Sequence, residues 1–312
     1  MQGLDLSRTL YAERGRELLD SLPRSISSRM AVGLVGEGSE CFGFDDEISR
    51  DHDWGAAFCI WMPQAELDAA MVDIEAALAR LPKTFMGFPV RMEPEARIGR
   101  VGPISIEAFY GRFLNVPRAP ETLAEWRRVP EHYLAVATNG EVFSDPAGEF
   151  SAIRETLLAF YPEDIRRKKI AARCVAAAQA GQYNLPRMLS RYDYVAAAIC
   201  RARFAEAVIS LAFLLSRRYM PFYKWAFRAV KLLPGLGMDI GFGLERLMTL
   251  SLMDAGVDQV AERVESLCQL LADTLLSQGL TDSNDPWLYE QGPRVQAGIT
   301  HAGLRAIPVQ LE

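Results

Sequence analysis

A glycine-rich turn and a pair of aspartates are the residues of this chain best suited to chemistry. The stretch Gly36-Glu37-Gly38-Ser39 is followed, twelve positions after Ser39, by Asp51-His52-Asp53. Glycine lets backbone N–H groups approach a phosphate closely, and Ser39 adds a hydroxyl. Successive side chains of a β-strand point to opposite faces, so we expect Asp51 and Asp53 to point the same way. The combination predicts a site for a triphosphate and a metal ion.

The two aspartates predict a divalent cation between them. Two carboxylates this close would repel one another, and one would tend to take up a proton, unless a cation lies between them. Mg²⁺, or Mn²⁺ in its place, prefers hard oxygen ligands and is usually held by one or two carboxylates plus substrate phosphates. Two such ions can activate an acceptor hydroxyl and stabilise a departing pyrophosphate. We therefore predict that Asp51 and Asp53 ligate metal and take part in catalysis.

The elements around these motifs must position them. Residues 31–35 have the pattern of a short apolar strand that enters the glycine turn, and residues 54–61 that of a second strand that leaves the aspartates. Taken singly, the turn is also typical of an ordinary tight turn, and Asp-x-Asp of a solvated loop. The order strand, turn, carboxylates, strand favours the functional interpretation. His52 either faces the core as a hydrogen-bonded histidine or positions a substrate.

The run from Gly36 to Gly55 resembles the Gly-Ser…Asp-x-Asp signature of the polymerase-β-like nucleotidyltransferase superfamily. It is most similar to a bacterial branch of unassigned function, which segments 140–145, 161–169, 181–187 and 218–225 also resemble. The resemblance implies an α+β protein, in which a small mixed-sheet nucleotidyltransferase domain precedes an all-α helical bundle domain. It also implies that Gly38 and Ser39 contact the triphosphate, while Asp51 and Asp53 hold the metals.

A third carboxylate completes the site in that superfamily, on a later strand beside the Asp-x-Asp strand. Residues 103–110 alternate as a strand would, with Ser105 and Glu107 on one face. Glu107 is therefore the predicted third catalytic and metal-binding carboxylate, although a glutamate near a strand end is commonly solvent-facing. Asp145, which precedes Pro146, is the second choice, and an Asp-Pro pair commonly marks a turn.

The second half of the chain changes in character, which predicts domains at residues 1–150 and 151–312. From about residue 150 the sequence is rich in Ala, Leu and Arg and reads as a helical bundle. Cations on these helices can neutralise a triphosphate, but a solvated helix face explains most of them. We single out Lys224, among aromatic neighbours that can hold its stem, and Arg187, after a tight segment, as predicted nucleotide-binding residues.

Composition narrows the classes of function. The 312 residues carry a net charge of −6 and have a pI near 5.3, which argues against nucleic-acid coating as the main task and leaves a local basic cleft open. Five cysteines without C-x-x-C spacing and three histidines argue against a zinc site and favour reduced thiols in a cytoplasmic protein. The longest apolar run, residues 207–215, is too short to cross a membrane.

These observations predict an enzyme that transfers a nucleoside monophosphate from an NTP, with ATP preferred, to a hydroxyl acceptor and releases pyrophosphate. The acceptor and the oligomeric state stay open. Two alternatives belong to other classes. One is a nucleotide-binding regulator or antitoxin-like partner without turnover, which a Glu107 unable to meet the aspartates would favour. The other is an interaction module whose acidic loop, residues 40–53, binds divalent ions alone.

Overall fold

The computed structural model of the chain describes residues 1–50, 53–254 and 256–312. Its strands are β1 Ala31–Leu34, β2 Cys59–Met62, β3 Thr84–Phe85, β4 Phe88–Pro89, β5 Gly102–Ser105 and β6 Glu141–Ser144. The helices of the first half are α1 Gly3–Leu10, α2 Arg16–Asp20, α3 Arg24–Ser27, α4 Gln64–Leu78, α5 Pro94–Arg97, α6 Ile106–Leu114, α7 Leu123–Arg128, α8 Glu131–Thr138 and α9 Glu149–Leu158. Those of the second half are α10 Glu163–Ala177, α11 Leu185–Ser190, α12 Tyr194–Leu215, α13 Tyr223–Val230, α14 Leu236–Met248, α15 Val257–Ser277, α16 Leu288–Ala297 and α17 Ala302–Arg305.

The sheet that organises the first half has the strand order β5-β2-β1-β6. β1 pairs antiparallel with both β2 and β6, whereas β2 and β5 run parallel. β3 and β4 form a separate small hairpin. An isolated β-bridge between Ala56, which precedes β2, and Val90, which follows β4, connects the hairpin to the sheet. A mixed sheet followed by helices confirms the predicted α+β fold class.

Contacts divide the chain into two compact units. Unit 1 consists of Met1–Glu125 and Tyr133–Ala159, and unit 2 consists of Trp126–His132 and Phe160–Glu312. The predicted domain ranges, 1–150 and 151–312, differ from these units at two places: residues 126–132 belong to unit 2, and residues 151–159 belong to unit 1. Two of the three crossings between the units fall inside α7 and α8.

Each unit has its own apolar core. In unit 1 the indole of Trp61, on β2, stacks on Phe150, with ring centroids 3.9 Å apart, and both side chains are fully buried. In unit 2 the long helix α12 buries an almost continuous run from Phe204 to Leu215, against α10 and α11 among others. None of the helices in the described ranges is long and apolar enough to span a membrane.

Two predicted strands are corrected by the structure. The strand expected at residues 54–61 begins only at Cys59. The strand expected at residues 103–110 ends at Ser105, because the Ser105 hydroxyl accepts a hydrogen bond from the Ala108 N–H (3.1 Å) and starts α6 there. Serine is a strong helix N-cap, and this local bond outweighs the alternating pattern that favoured a strand.

Candidate functional site

The C-terminal end of β1 and the N-terminal ends of β2, β5 and β6 lie at the same end of the sheet. Gly33 pairs with Cys59 at the start of β2, and Leu34 pairs with Glu141 at the start of β6. Cys59 also pairs with Gly102, at the start of β5. We call this end of the sheet the β1 edge. It consists of residues 36–39, which follow β1, and of three residues that precede the other strands: Asp53 before β2, Arg100 before β5 and Asn139 before β6. The glycine turn and Asp53 are thus brought to the same edge.

The glycine turn is held in place by Asn139. Its side-chain oxygen accepts a hydrogen bond from the Gly36 N–H (3.0 Å), and its side-chain N–H donates to the Gly36 carbonyl (2.7 Å). Gly38 precedes a short 3₁₀ helix, Ser39–Phe42. The Ser39 hydroxyl makes no hydrogen bond within the described part of the chain, which leaves it available to a ligand.

The Glu40 carboxylate lies against Gly38. A β-carbon on Gly38 would lie 2.3 Å from a carboxylate oxygen of Glu40. Burial raises the pKa of the Glu40 carboxyl; Asp45 raises it further, and Arg91 and Arg100 act in the opposite direction. Arg91 and Arg100 act on Glu40 as nearby positive charges, and such charges favour an anion near the turn.

Asp53 is held by two arginines. Its carbonyl accepts a hydrogen bond from the Arg91 guanidinium, and its carboxylate lies 3.5 Å from Arg100 Nη1. Arg91 is buried, with 7% of its surface exposed, and burial lowers its pKa. Asp53 has a backbone φ of 51°, in the left-handed region, where aspartate is among the more tolerated residues. It therefore does not lie on a regular strand, and the predicted strand alternation does not apply to it.

The predicted metal site is described only in part. Asp51 and His52 lie outside the described residues. Asp53 offers one hard carboxylate ligand, whose partner Arg100 is half exposed and easily exchanged for a cation. Within the described ranges no group of three or more His, Cys, Asp or Glu side chains is placed to hold a metal ion. The donor chemistry of Asp53 fits Mg²⁺, and the second predicted ligand is Asp51.

A further arginine reaches the β1 edge from helix α6. Arg112 forms an ion pair with Glu37 in the glycine turn, and its Nη1 donates to the Gly99 carbonyl (3.4 Å). Gly99 precedes Arg100, so Arg100 and Arg112 approach the edge from neighbouring positions. Both are about half exposed, at 44% and 47% of the side chain. Cations that are paired but exposed can exchange their carboxylate partners for phosphates at modest cost.

Glu107 lies at the opposite edge of the sheet. Because β2 and β5 are parallel, with Met62 beside Ser105, the residues after both strands lie at the edge away from Asp53. There the Glu107 carboxylate accepts a hydrogen bond from the Gln64 N–H (3.0 Å), at the start of α4. The four residues of β2 put about 10 Å between the two edges. The structure thus corrects the expected position of Glu107 and does not bring it to Asp53.

Asp145 also has a structural position. Its two carboxylate oxygens accept hydrogen bonds from the N–H groups of Gly148 and Ser151, both at 2.8 Å, where α9 begins. These bonds account for the residue as a turn and helix cap. The second choice for a third carboxylate is therefore occupied by the backbone of its own loop.

Lys224 and Arg187 both belong to unit 2 and are exposed. The Lys224 ammonium lies 5.1 Å from the centre of the Trp225 ring, and the Arg187 guanidinium lies 4.4 Å from that of Tyr183. Aromatic neighbours were expected to bury the Lys224 stem, and the structure corrects this. Their nucleotide contacts stay a prediction.

The sequence alone does not mark Arg91, Arg100, Arg112 or Asn139 as site residues. Each stands alone in its segment, without a repeated spacing that would mark it, and reaches the β1 edge only through the pairing of distant strands and the return of α6. The Gly-Ser turn and the aspartates could be proposed from the sequence because their spacing is local, and their roles stay a prediction. Only the sheet register identifies the residues that surround them.

Comparisons with known proteins place these observations beside other chains. A family model described as a domain of unknown function (DUF4037) matches residues 126–226. No curated protein matches the chain. Among solved structures, a nucleotidyltransferase-like protein from Exiguobacterium sibiricum is similar at 12% identity and a TM-score of 0.37, over 88% of this chain and 77% of that one. The family description agrees with the resemblance to a branch of unassigned function, and the structural likeness is too distant to support any argument about this chain.

Proposed function

We propose that the β1 edge binds a nucleoside triphosphate together with Mg²⁺ and transfers its nucleoside monophosphate to a hydroxyl acceptor, with release of pyrophosphate. ATP is the expected donor. The observation that carries this proposal is the antiparallel register of β1 and β2, in which Gly33 lies opposite Cys59. This register puts the glycine turn that follows β1 at the same end of the sheet as Asp53, which precedes β2.

The surroundings of the turn support a polyanionic ligand. Arg91, Arg100 and Arg112 contact Asp53 or the glycine turn. In the proposed complex Arg100 and Arg112 release their carboxylates and contact phosphate oxygens, since guanidinium groups bind phosphate in a bidentate way. Gly38 and Ser39 offer a backbone N–H and a hydroxyl to the same phosphates. Asp51 and Asp53 would hold the metal, which supplies charge neutralisation and orients the leaving pyrophosphate.

A thermal-unfolding screen tests the proposal. Wild type is heated with each of ATP, GTP, CTP and UTP, with and without Mg²⁺. A ligand at about a hundred times its dissociation constant adds roughly 2.7 kcal/mol to the free energy of unfolding, so the melting temperature rises measurably. We expect one NTP to stabilise wild type only with Mg²⁺, and the Asp51→Asn, Asp53→Asn double variant to lose that effect.

Glu107→Gln is the matched control, because it removes one carboxylate from the opposite edge of the same sheet. Glutamine keeps an oxygen that can accept the hydrogen bond from the Gln64 N–H, so the change should lower stability by less than about 1 kcal/mol and leave the NTP-dependent rise intact. An equal nucleotide effect in wild type and the Asp51→Asn, Asp53→Asn variant contradicts the site. Loss of the effect in Glu107→Gln contradicts the placement of Glu107.

A second function has one observation in its favour. Among the described residues no third carboxylate meets Asp53 in a metal-binding group, and Glu107 lies at the far edge. This favours a nucleotide-binding regulator that does not turn its ligand over. Pyrophosphate release from the stabilising NTP, assayed with a mixture of small hydroxylated molecules as acceptors, separates the two functions. Release that requires Asp53 supports transfer, whereas tight binding without release supports the regulator.

A further inference from the structure

Unit 2 contains a polar cavity of about 450 Å³. Its walls come from the segment before and at the start of α8, from α10, from α12 and from the segment before α13. The residues that matter most are Arg127, Glu131, Lys169, Arg173, Glu206 and Glu312. A second cavity of about 530 Å³ adjoins it and shares Arg173, Glu206 and Met220. Volumes in the range of roughly 300–1,000 Å³ accommodate small molecules.

A carboxylate is already bound between two cations in this cavity. The Glu312 side chain lies 2.6 Å from Arg173 Nη2 and 3.8 Å from the Lys169 ammonium. Lys169 and Arg173 are four residues apart on α10, so they present their charges on one face of the helix. Lys169 is 6% exposed, and its ammonium also lies 5.4 Å from the centre of the Tyr161 ring. Lys169 and Arg173 thus form an anion-binding site, which the Glu312 carboxylate occupies.

A buried hydrogen-bonded chain adjoins that anion site. Arg173 Nε donates to the Ser210 hydroxyl (2.9 Å), which donates to Glu131 Oε2 (3.0 Å). Glu131 is buried, with 7% of its surface exposed. Burial raises the pKa of its carboxyl, while Lys169, Arg173 and the Ser210 bond oppose that shift. These hydrogen bonds hold the Glu131 carboxylate through Oε2, while its other oxygen, Oε1, makes no bond to Ser210.

Three buried polar atoms have no partner within the part of the chain that the structure describes; two belong to residues that line the cavity and one to Tyr161, whose ring lies beside the Lys169 ammonium. They are Glu131 Oε1, Arg127 Nε and the Tyr161 hydroxyl. A buried polar atom without a partner costs about 1–3 kcal/mol, so such atoms are rare and commonly mark the place of a water or a ligand. Their concentration around one cavity points to a molecule with polar groups of its own.

We propose that this cavity binds a small organic anion with a hydroxyl group, whose phosphate or carboxylate replaces Glu312 on Lys169 and Arg173 and whose hydroxyl donates to Glu131 Oε1. Once Glu312 moves aside, the cations that line the cavity, Arg127, Arg128, Lys169 and Arg173, outnumber the carboxylates of Glu131 and Glu206. The lining residues all belong to unit 2, so the fate of the nucleotide site in unit 1 does not decide this one.

The test uses the full chain and three probes. Glycerol 3-phosphate carries a phosphate and hydroxyls, glycerate carries a carboxylate and hydroxyls, and glycerol carries no charge. Binding is measured by calorimetry and by the shift in melting temperature. We expect one of the two anions to bind wild type, glycerol not to bind, and Glu312→Gln to raise the affinity at least about tenfold. Glu312→Gln should raise the affinity because the Glu312 carboxylate is part of the protein and competes with the probe at an effective concentration in the millimolar range or above.

Two further variants identify the residues. Lys169→Met in the Glu312→Gln background should lose the gain, with circular dichroism to check that it folds. Glu131→Gln keeps the shape of the side chain and should abolish the preference for glycerol 3-phosphate over inorganic phosphate, or for glycerate over acetate. Arg191→Gln, which removes an exposed cation of unit 2, is the control and should bind as wild type does.

Two results would overturn the proposal. Equal binding of an anion by wild type, Arg191→Gln and the Lys169→Met variant would show general attraction to positive charge. Failure of both anions to bind Glu312→Gln at tens of millimolar would show that the cavity holds solvent and that Glu312 only ties its segment to α10. If Lys169→Met does not fold, an unchanged preference in Glu131→Gln overturns it equally.

Discussion

Lys168 is a buried cation whose hydrogen bonds all go to the C-terminal part of the chain. Its ammonium donates to Gln296 Oε1 (2.6 Å) and to the carbonyls of Ile307 (3.1 Å) and Pro308 (2.8 Å). Only 1% of the residue is exposed, and burial lowers its pKa to about 8. These bonds fasten residues 307–308 to α10, next to the cations that hold Glu312.

Lys168→Met should lower the free energy of unfolding by about 2–3 kcal/mol at neutral pH, because the Gln296 amide oxygen and the carbonyls of Pro308 and Val309 lose the Lys168 ammonium as donor. The difference should also depend on pH. The unfolded lysine keeps its proton up to about pH 10.5, whereas the folded one gives it up near pH 8. Wild type is therefore relieved of a buried charge as pH rises through that window, and its advantage over the variant should grow.

Urea unfolding at pH 7, 8, 9 and 10 measures this difference. Lys83→Met is the control, because Lys83 is 87% exposed and has only Glu93, at 3.5 Å, as an ion-pair partner. It should change stability by less than about 1 kcal/mol. A stability difference for Lys168→Met that shrinks between pH 8 and 10 would contradict the lowered pKa.

Single residues show where the sequence was informative and where it was not. The Gly-Ser turn and Asp53 could be singled out from the sequence, because only a short stretch of chain separates them. The run Arg166-Arg167-Lys168-Lys169 was expected to be mostly a solvated face, yet Arg166, Lys168 and Lys169 are buried. Charge alone cannot show this, since the partners of Lys168 lie more than a hundred residues further along the chain.

At the scale of elements, α10 and α11 form one helical path through a π-helical segment, Ala178–Asn184. Glycine inside a helical pattern commonly marks the end of a helix, and Gly181 lies in this segment. Instead it lies under the ring of Phe204, on α12, which is fully buried. A β-carbon on Gly181 would lie 2.2 Å from that ring. The glycine is therefore a packing requirement between two helices and not a break.

Gly181→Ala should cost about 1–3 kcal/mol, because neither the ring nor the backbone can move without disturbing a filled core. Gly111→Ala is the matched control. Gly111 is also helical, on α6, and the nearest atom to its added β-carbon is 4.0 Å away, so this variant should be neutral or gain up to about 1 kcal/mol. Circular dichroism during urea unfolding compares them, and equal stabilities would show that Phe204 does not pack on Gly181.

Elements with strong local signals could be predicted well. Residues 63–81 have the apolar spacing of a helix between two prolines, and α4 forms there at Gln64–Leu78, since Pro63 starts it and an apolar stripe faces inward. β6, α7, α8 and α9 were not predicted, because β6 is short and half-buried throughout and the helices lie in a segment without a clear period. Residues 103–110 fitted two periods equally, and only the Ser105 cap decided between them.

The whole molecule is divided so that seven residues of the first half belong to unit 2. Trp126 is 5% exposed, with its ring centre 5.9 Å from that of Tyr161, and Glu131 accepts the hydrogen bond from Ser210. The boundary at residue 150 was predicted because the composition changes there. Composition does not show that residues 126–132 pack with residues from 160 onward.

A fragment of residues 160–312 should therefore be less stable than one of residues 120–312. Loss of the Trp126 side chain alone is expected to cost about 3–5 kcal/mol, as for other buried tryptophans. Thermal unfolding of the two fragments, followed by circular dichroism, measures the difference. Residues 120–312 carrying Trp126→Ala should lie between them. Identical melting temperatures for the two fragments would contradict the assignment of residues 126–132 to unit 2.

The same division affects the protein while it is being made. Translation proceeds from the N-terminus, so Trp126 leaves the ribosome before any of its packing partners from residue 160 onward exists. The next segment to emerge, Tyr133–Ala159, brings β6 and α9 and completes unit 1. Domains generally fold as units during synthesis. Unit 1 must therefore close while it carries an uncovered tryptophan, and that interval exposes the nascent chain to chaperones or to aggregation.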